Sequence, residues 1–167
     1  MKAEHINDEF LELVNRYQPV IHRVCRMYAD SPEDRRDLFQ ETLYQLWRSY
    51  PSFKGWSNFS TWVYRIALNT AITALRREKK RPYNVEFQDD MQQVPAPSGA
   101  LDDAQRTGRL YRAIRSLNDV ERALVMLYLD ELSYKEMADV LGLSESNVGV
   151  KLNRIKAKLQ HILKGMK

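Results

Sequence analysis

The helical spacing of apolar residues that runs through most of this chain is broken by one long interruption. The stretch RPYNVEFQDDMQQVPAPSGA, residues 81–100, holds three prolines and a glycine and shows no helical period. Proline fixes φ and removes a backbone donor, so neither flanking helix can extend through such a segment. A chain interrupted in this way builds two small cores instead of one large one. The expected organisation is a first domain over 1–81, a flexible linker over 82–104 and a second domain over 105–167.

Both flanks read as helix, and no strand-like alternation or internal repeat is visible. Phe10, Leu11, Val14, Tyr17, Val20, Ile21, Val24, Cys25 and Tyr28 recur at helical spacing over about 6–29, with a kink expected at Pro19. SPED, beginning at Ser31, is an N-cap with proline at the first helical position and acids in the first turn. That second helix carries Leu38, Leu43, Leu46 and Trp47 and stops before Pro51. A third runs from Asn58 to about Arg81 with Phe59, Trp62, Val63, Ile66, Ala67, Thr70 and Ala74 on its apolar stripe. The fold class is all-α.

Charge is segregated along the chain. Residues 59–81 carry six Lys or Arg against one acid, and residues 145–167 again six against one. Residues 82–105 carry five acids and no base. Two basic patches around an acidic connector, with a net charge of +4, point to a polyanionic partner. The polar, acidic N-terminus is unlike a secretory signal, no run is long enough for a membrane span, and the lone Cys25 suits a reducing cytoplasm.

The most specific pattern lies near the C-terminus, in LSYKEMADVLGLSESNVGVKLNRIKAKL. Ser133 with Glu136 three residues on fits a capping box, Gly142 fits a left-handed C-cap, and Ser144 caps a final helix to about Leu163. Met137, Ala138, Val140, Leu141, Leu143, Val148, Leu152 and Ile155 pack the two helices together. This is a helix-turn-helix. Its second helix offers Asn147, Lys151, Arg154, Lys156 and Lys158, the amides and long cations that base edges and phosphates require.

This segment resembles region 4 of bacterial sigma factors, in particular the extracytoplasmic-function (ECF) group. DLFQETLYQLW (37–47) is similar to sigma region 2.2, and FSTWVYRIALNTAITALRR (59–77) to regions 2.3 and 2.4. The resemblance implies recognition of a −35 promoter element by the final helix through Ser144, Ser146, Asn147, Gly149, Val150, Lys151, Asn153, Arg154 and Lys158. It further implies that the polar stripe Asp37, Gln40, Glu41, Tyr44 and Gln45, with Leu38, docks on core RNA polymerase at the β′ clamp coiled coil. The β flap, promoter DNA and an anti-sigma factor complete the implied partners. Gly149 departs from the pattern, standing where many relatives carry a polar or basic residue. Close approach of its backbone to DNA is one explanation and simple tolerance another.

YPSFKGWSNFSTWVYR, residues 50–65, packs six aromatic rings into sixteen residues beside proline, glycine and serine. Melting a duplex leaves bases to be captured, and an aromatic ring stacks a base with about 1–3 kcal/mol. Phe59 and Trp62 share a face and read as core, whereas Phe53 and Trp56 suit either core or DNA. By resemblance, Lys54, Gly55, Ser57 and Asn58 line a pocket for a flipped base of the −10 element, with Asn69 at its floor. Arg65, Arg76 and Arg77 follow as phosphate-binding cations. A linker of about 24 residues reaches at most roughly 80 Å. Two elements one and a half to two turns apart lie roughly 50–70 Å from each other, within that reach.

The sequence contains no phosphate-binding glycine loop and no nucleophile arrangement. His22 and Cys25 lack further ligands for a metal site, and no cofactor is expected. Two other classes compete: a helix-turn-helix regulator with an N-terminal sensing or dimerisation domain, and a pure interaction module. Neither accounts for DLFQETLYQLW, the aromatic loop and two basic patches together.

Overall fold

Local capping chemistry sets most of the helix boundaries. In the computed structural model, which describes residues 2–53, 55, 58–80 and 101–166, Ser31 Oγ accepts the Asp34 N–H at 3.0 Å and Pro32 opens the following helix. Asn118 accepts from the Glu121 N–H while the Glu121 carboxylate accepts from the Asn118 N–H, at 2.9 and 3.2 Å. These reciprocal bonds satisfy two of the donors that a helix start leaves open. Among the described residues there are seven α-helices and no strand: α1 Lys2–Tyr28, α2 Pro32–Ser49, α3 Phe59–Lys80, α4 Leu101–Arg115, α5 Asp119–Leu129, α6 Tyr134–Leu141 and α7 Glu145–Gly165. A 3₁₀ turn, Tyr50–Ser52, follows α2. No described helix is long and apolar enough to cross a membrane.

The predicted linker lies outside the described residues apart from its last four, which already belong to α4. Pro19 sits inside α1, which is helical on both sides of it.

α1, α2 and α3 pack mutually around Phe10, Val14, Ile21, Val24, Leu38, Leu46, Val63 and Ala67. α4 to α7 enclose Ile114, Leu117, Leu124, Leu127, Met137, Val148, Leu152 and Ile155. Fully burying one such side chain stabilises by roughly 1.5–3 kcal/mol.

One expectation about the core needs correction. On α3, Tyr64, Leu68 and Ala71 are as buried as Val63 and Ala67, while Phe59, Trp62, Ile66, Thr70 and Ala74 are only partly so. The second domain packs on α3 as well, through α6 and through the bond of the Tyr64 hydroxyl to Asp130. The two cores thereby form one continuous cluster. Leu129, whose neighbours Leu124 and Leu127 are buried, is itself 51% exposed at the end of α5.

Candidate nucleic-acid interface

The helix-turn-helix is built as its residues dictate. Ser133 Oγ accepts the Glu136 N–H at 3.1 Å. The Glu136 carboxylate accepts a hydrogen bond from the Ser133 hydroxyl in return, rather than from the backbone N–H of a complete capping box. Gly142 ends α6 at φ 68° and ψ 35°, a conformation that costs a side-chain-bearing residue about 1–2 kcal/mol. Leu143 follows with its N–H on the Ala138 carbonyl. Ser144 Oγ then accepts the Asn147 N–H at 3.2 Å and starts α7.

Val148, Leu152 and Ile155 form the buried line of α7, so Ser146, Val150 and Asn153 point the opposite way, flanked by Asn147 and Arg154. All five are exposed, Val150 at 49%. Ser144 is exposed at the helix start and Lys151 is half-buried. Two cations of the same helix are engaged elsewhere. Lys158 Nζ lies 3.1 Å from Glu121 Oε1, and Lys156 Nζ sits 4.5 Å from the centre of the Tyr128 ring. Gly149 is half-buried beside Tyr134, and a Cβ at this position would meet that ring at an ordinary 3.5 Å.

In the aromatic loop, Lys54, Trp56 and Ser57 lie outside the described residues. Gly55 has φ 72°, which accounts for a glycine there. The rings stack chiefly on one another. Phe53, half-buried, is 5.6 Å from Phe59 and 5.1 Å from Trp62, and Phe59 continues to Tyr17 at 5.2 Å. Tyr50 joins Trp62 to Phe10, which meets Trp47 edge-on at 5.1 Å. Phe53 is therefore a member of the packed cluster. The Asn58 carbonyl accepts the Trp62 N–H at the start of α3, and its side chain, like that of Asn69, is exposed. Arg65, Asn69 and Arg76 follow at spacings of four and seven on one edge of α3, with Arg77 beside them.

On α2, Asp37, Gln40, Glu41 and Tyr44 are exposed and Gln45 half-buried, its amide donating to Glu41 Oε1 at 2.9 Å. Leu38 departs from this set: at 7% exposure it is core and supports the stripe from behind. Asp37 and Glu41 also line a cleft of about 360 Å³ between α2 and α3, together with Asp30, Asp34, Glu78 and Arg77. Tyr44 and Trp47, 55% and 45% exposed, add apolar surface one turn apart on the same helix.

A third group escaped sequence reasoning because it joins the domains. Asp130 accepts from the Tyr64 hydroxyl at 2.6 Å and from Arg23 at 3.1 and 3.2 Å. Asp119 accepts from Arg76 at 2.9 Å, and its carbonyl takes the Tyr28 hydroxyl at 2.8 Å. Arg65 donates to the Asp139 carbonyl at 2.7 Å. Arg122 reaches the Met27 carbonyl and lies over the Tyr28 ring. Burial, reinforced by Asp130, pushes the Tyr64 hydroxyl well above its usual range, and burial does the same for Tyr28. Burial works against the Arg23 charge, but Asp130 and Tyr64 outweigh it and raise its pKa. Both tyrosines thus remain donors at neutral pH.

Similarity to known proteins extends over both domains. Sigma-70 region 2 matches residues 13–81 and Sigma-70 region 4 matches residues 107–159. The ECF RNA polymerase sigma factor SigG of Mycobacterium tuberculosis is 29% identical over 96% of this chain, which spans only 50% of that relative's length. The ECF RNA polymerase sigma-E factor of Escherichia coli is 29% identical over 89% of this chain and 83% of its own. Among solved structures, the sigma factor RpoE from Bartonella quintana, in complex with the anti-sigma factor NepR, superposes with a TM-score of 0.73 at 22% identity. That match covers 93% of this chain and 97% of RpoE. CnrH, in complex with the cytosolic domain of CnrY, gives 0.71 at 23% identity over 96% and 91%. These two likenesses establish the fold. With both regions matched in order, the chain belongs to the sigma-70 family of RNA polymerase sigma factors, within its ECF group.

Proposed function

We propose that the chain binds core RNA polymerase and directs promoter-specific initiation, reading a −35 element with α7 and helping to open the −10 element with α3 and the loop before it. The observation that carries this reading is the outward face of α7. Ser146, Asn147, Val150, Asn153 and Arg154 stand free opposite a fully buried line, on a helix fixed by the Ser144 cap and the Gly142 turn. Amide, guanidinium and methyl groups on one face of such a helix match the donors, acceptors and thymine methyls of a major groove. Asn69 and Asn58 supply both donors and acceptors for an unpaired base. The exposed α2 stripe with its acidic cleft suits a basic polymerase surface, the β′ clamp coiled coil, and the second domain meets the β flap.

The polymerase performs the chemistry. The chain itself is a binding factor and not an enzyme, and it works in the cytoplasm beside the nucleoid. RpoE of Bartonella quintana and CnrH were each solved with a protein bound, NepR and the cytosolic domain of CnrY. An anti-sigma partner for this chain follows by the same analogy.

A filter-retention experiment with fragmented genomic DNA tests the proposal, using core polymerase, the chain, and both. Retention of a discrete fragment set only when both are present is the expected result. Equal retention by the chain alone would instead identify a conventional helix-turn-helix regulator.

A further inference from the structure

We infer that α7 selects its promoter element by apolar contact: Val150, set beside the bare backbone of Gly149, reads the 5-methyl group of a thymine at the middle of the three base pairs that the helix spans. The inference rests on the initiation reading above and names the base chemistry that reading leaves open.

Two consecutive residues of α7 weaken the helix without serving the core. Glycine and valine both rank below the lysine, glutamine and alanine that suit a helix surface, and glycine ranks lowest of all but proline. Gly149 is not required sterically, since a Cβ there would meet the Tyr134 ring at an ordinary 3.5 Å. Val150 is not core, being 49% exposed while Val148, Leu152 and Ile155 are at most 2% exposed. Its neighbours on the same face, one turn to either side, are the exposed polar residues Ser146, Asn147, Asn153 and Arg154. Local choices that oppose the fold with no gain inside it mark a site of function.

Side-chain chemistry decides which ligand suits this spot. The Tyr134 ring lies against Gly149, and no long amide or cation rises from that position to hold Val150 off a base edge. A β-branched side chain on a helix is confined almost to one rotamer, which fixes both methyl groups in advance. Thymine alone presents a methyl in the major groove, where cytosine presents an amine that valine cannot satisfy. Recognition-helix residues three or four apart meet successive base pairs. Ser146 with Asn147, Val150, and Asn153 with Arg154 therefore divide three consecutive pairs. Thymine stands in the middle, with a purine suited to Asn153 or Arg154 on one side. Valine touches no phosphate, so this selection is independent of salt.

The test uses the full chain with sigma-free core polymerase and a random-sequence duplex library, from which retained fragments are sequenced. Each thymine of the enriched upstream element is then replaced in turn by deoxyuridine, which removes the 5-methyl group and nothing else. Loss of one buried methyl predicts about fourfold weaker retention at a single thymine and little change at the others. Val150→Ser should bind the two DNAs equally, at the weaker level, with an unchanged salt dependence. Gly149→Lys should also lose the discrimination, but with a steeper salt dependence. Circular dichroism confirms that each variant is helical. An element in which every thymine tolerates deoxyuridine, or a full effect that persists in Val150→Ser, overturns the inference while leaving the initiation reading intact. Failure of the folded chain to enrich any element with polymerase removes the initiation reading, and this inference falls with it.

Discussion

The Tyr64 hydroxyl donates to Asp130 Oδ2 at 2.6 Å, linking the middle of α3 to the residue that ends α5, sixty-six positions away. A hydrogen bond to a charged acceptor contributes about 1.5–3 kcal/mol. Tyr64→Phe should therefore lower stability toward urea by about 1.5 kcal/mol, and the same change in an Asp130→Asn background should cost clearly less. Equal losses in both backgrounds would show that the two side chains are not coupled.

Gly149 carries a different expectation. Its missing Cβ would make only ordinary contact with Tyr134, so steric exclusion does not require glycine there. Gly149→Ala should stabilise the chain by about 1 kcal/mol through helix propensity. If its backbone also lies against DNA, the same variant binds promoter fragments more weakly despite being more stable. Thermal unfolding, and filter binding with core polymerase present, separate the two effects.

The cations of α7 should divide sharply in their contributions. Arg154, exposed beside Val150 and Asn153, should lose about 1–3 kcal/mol of specific DNA affinity on substitution by alanine. Lys158→Ala should have little effect on DNA and cost under about 1 kcal/mol of stability, because its amine is directed to Glu121. A larger binding loss at Lys158 than at Arg154 would contradict the orientation of the helix.

How far the sequence could be read follows from the range of each interaction. Ser31, Gly142 and Ser144 were legible because capping is decided within four residues, and the α2 stripe because helical spacing shows it directly. Asn118 with Glu121 carries the same local signal, N-x-x-E. Tyr64, Leu68 and Ala71 are not legible as core, since burial of that flank depends on segments distant in sequence, as the Tyr64 bond to Asp130 illustrates. Arg65 and Arg76 read as free cations for the same reason: Asp139 and Asp119 meet them only through the packing of the domains. Phe53, read as open to either role, is placed by ring contacts with Phe59 and Trp62 that only the folded loop reveals.

Alkaline pH should weaken the fold. Burial pushes the Cys25 thiol from 9.0 up to about 11 and also raises Tyr28 and Tyr64. A folded-state pKa above the unfolded one gives stability that is complete below the unfolded value and is lost as pH rises through the folded one. For Cys25 that window runs from about pH 9 to about 11, and urea midpoints should fall across it. At pH 8 the native thiol should react slowly with a disulfide reagent and quickly once unfolded. Rapid reaction of the folded chain would place Cys25 outside the core.

Run-off transcription bears most directly on the central claim. Sigma-free core polymerase is incubated with fragmented genomic DNA, with and without the chain. The account predicts discrete new transcripts that share two upstream elements, lost when Asn153 and Arg154 are both replaced by alanine. No transcripts from a folded chain that nevertheless shifts duplex DNA by itself would contradict it.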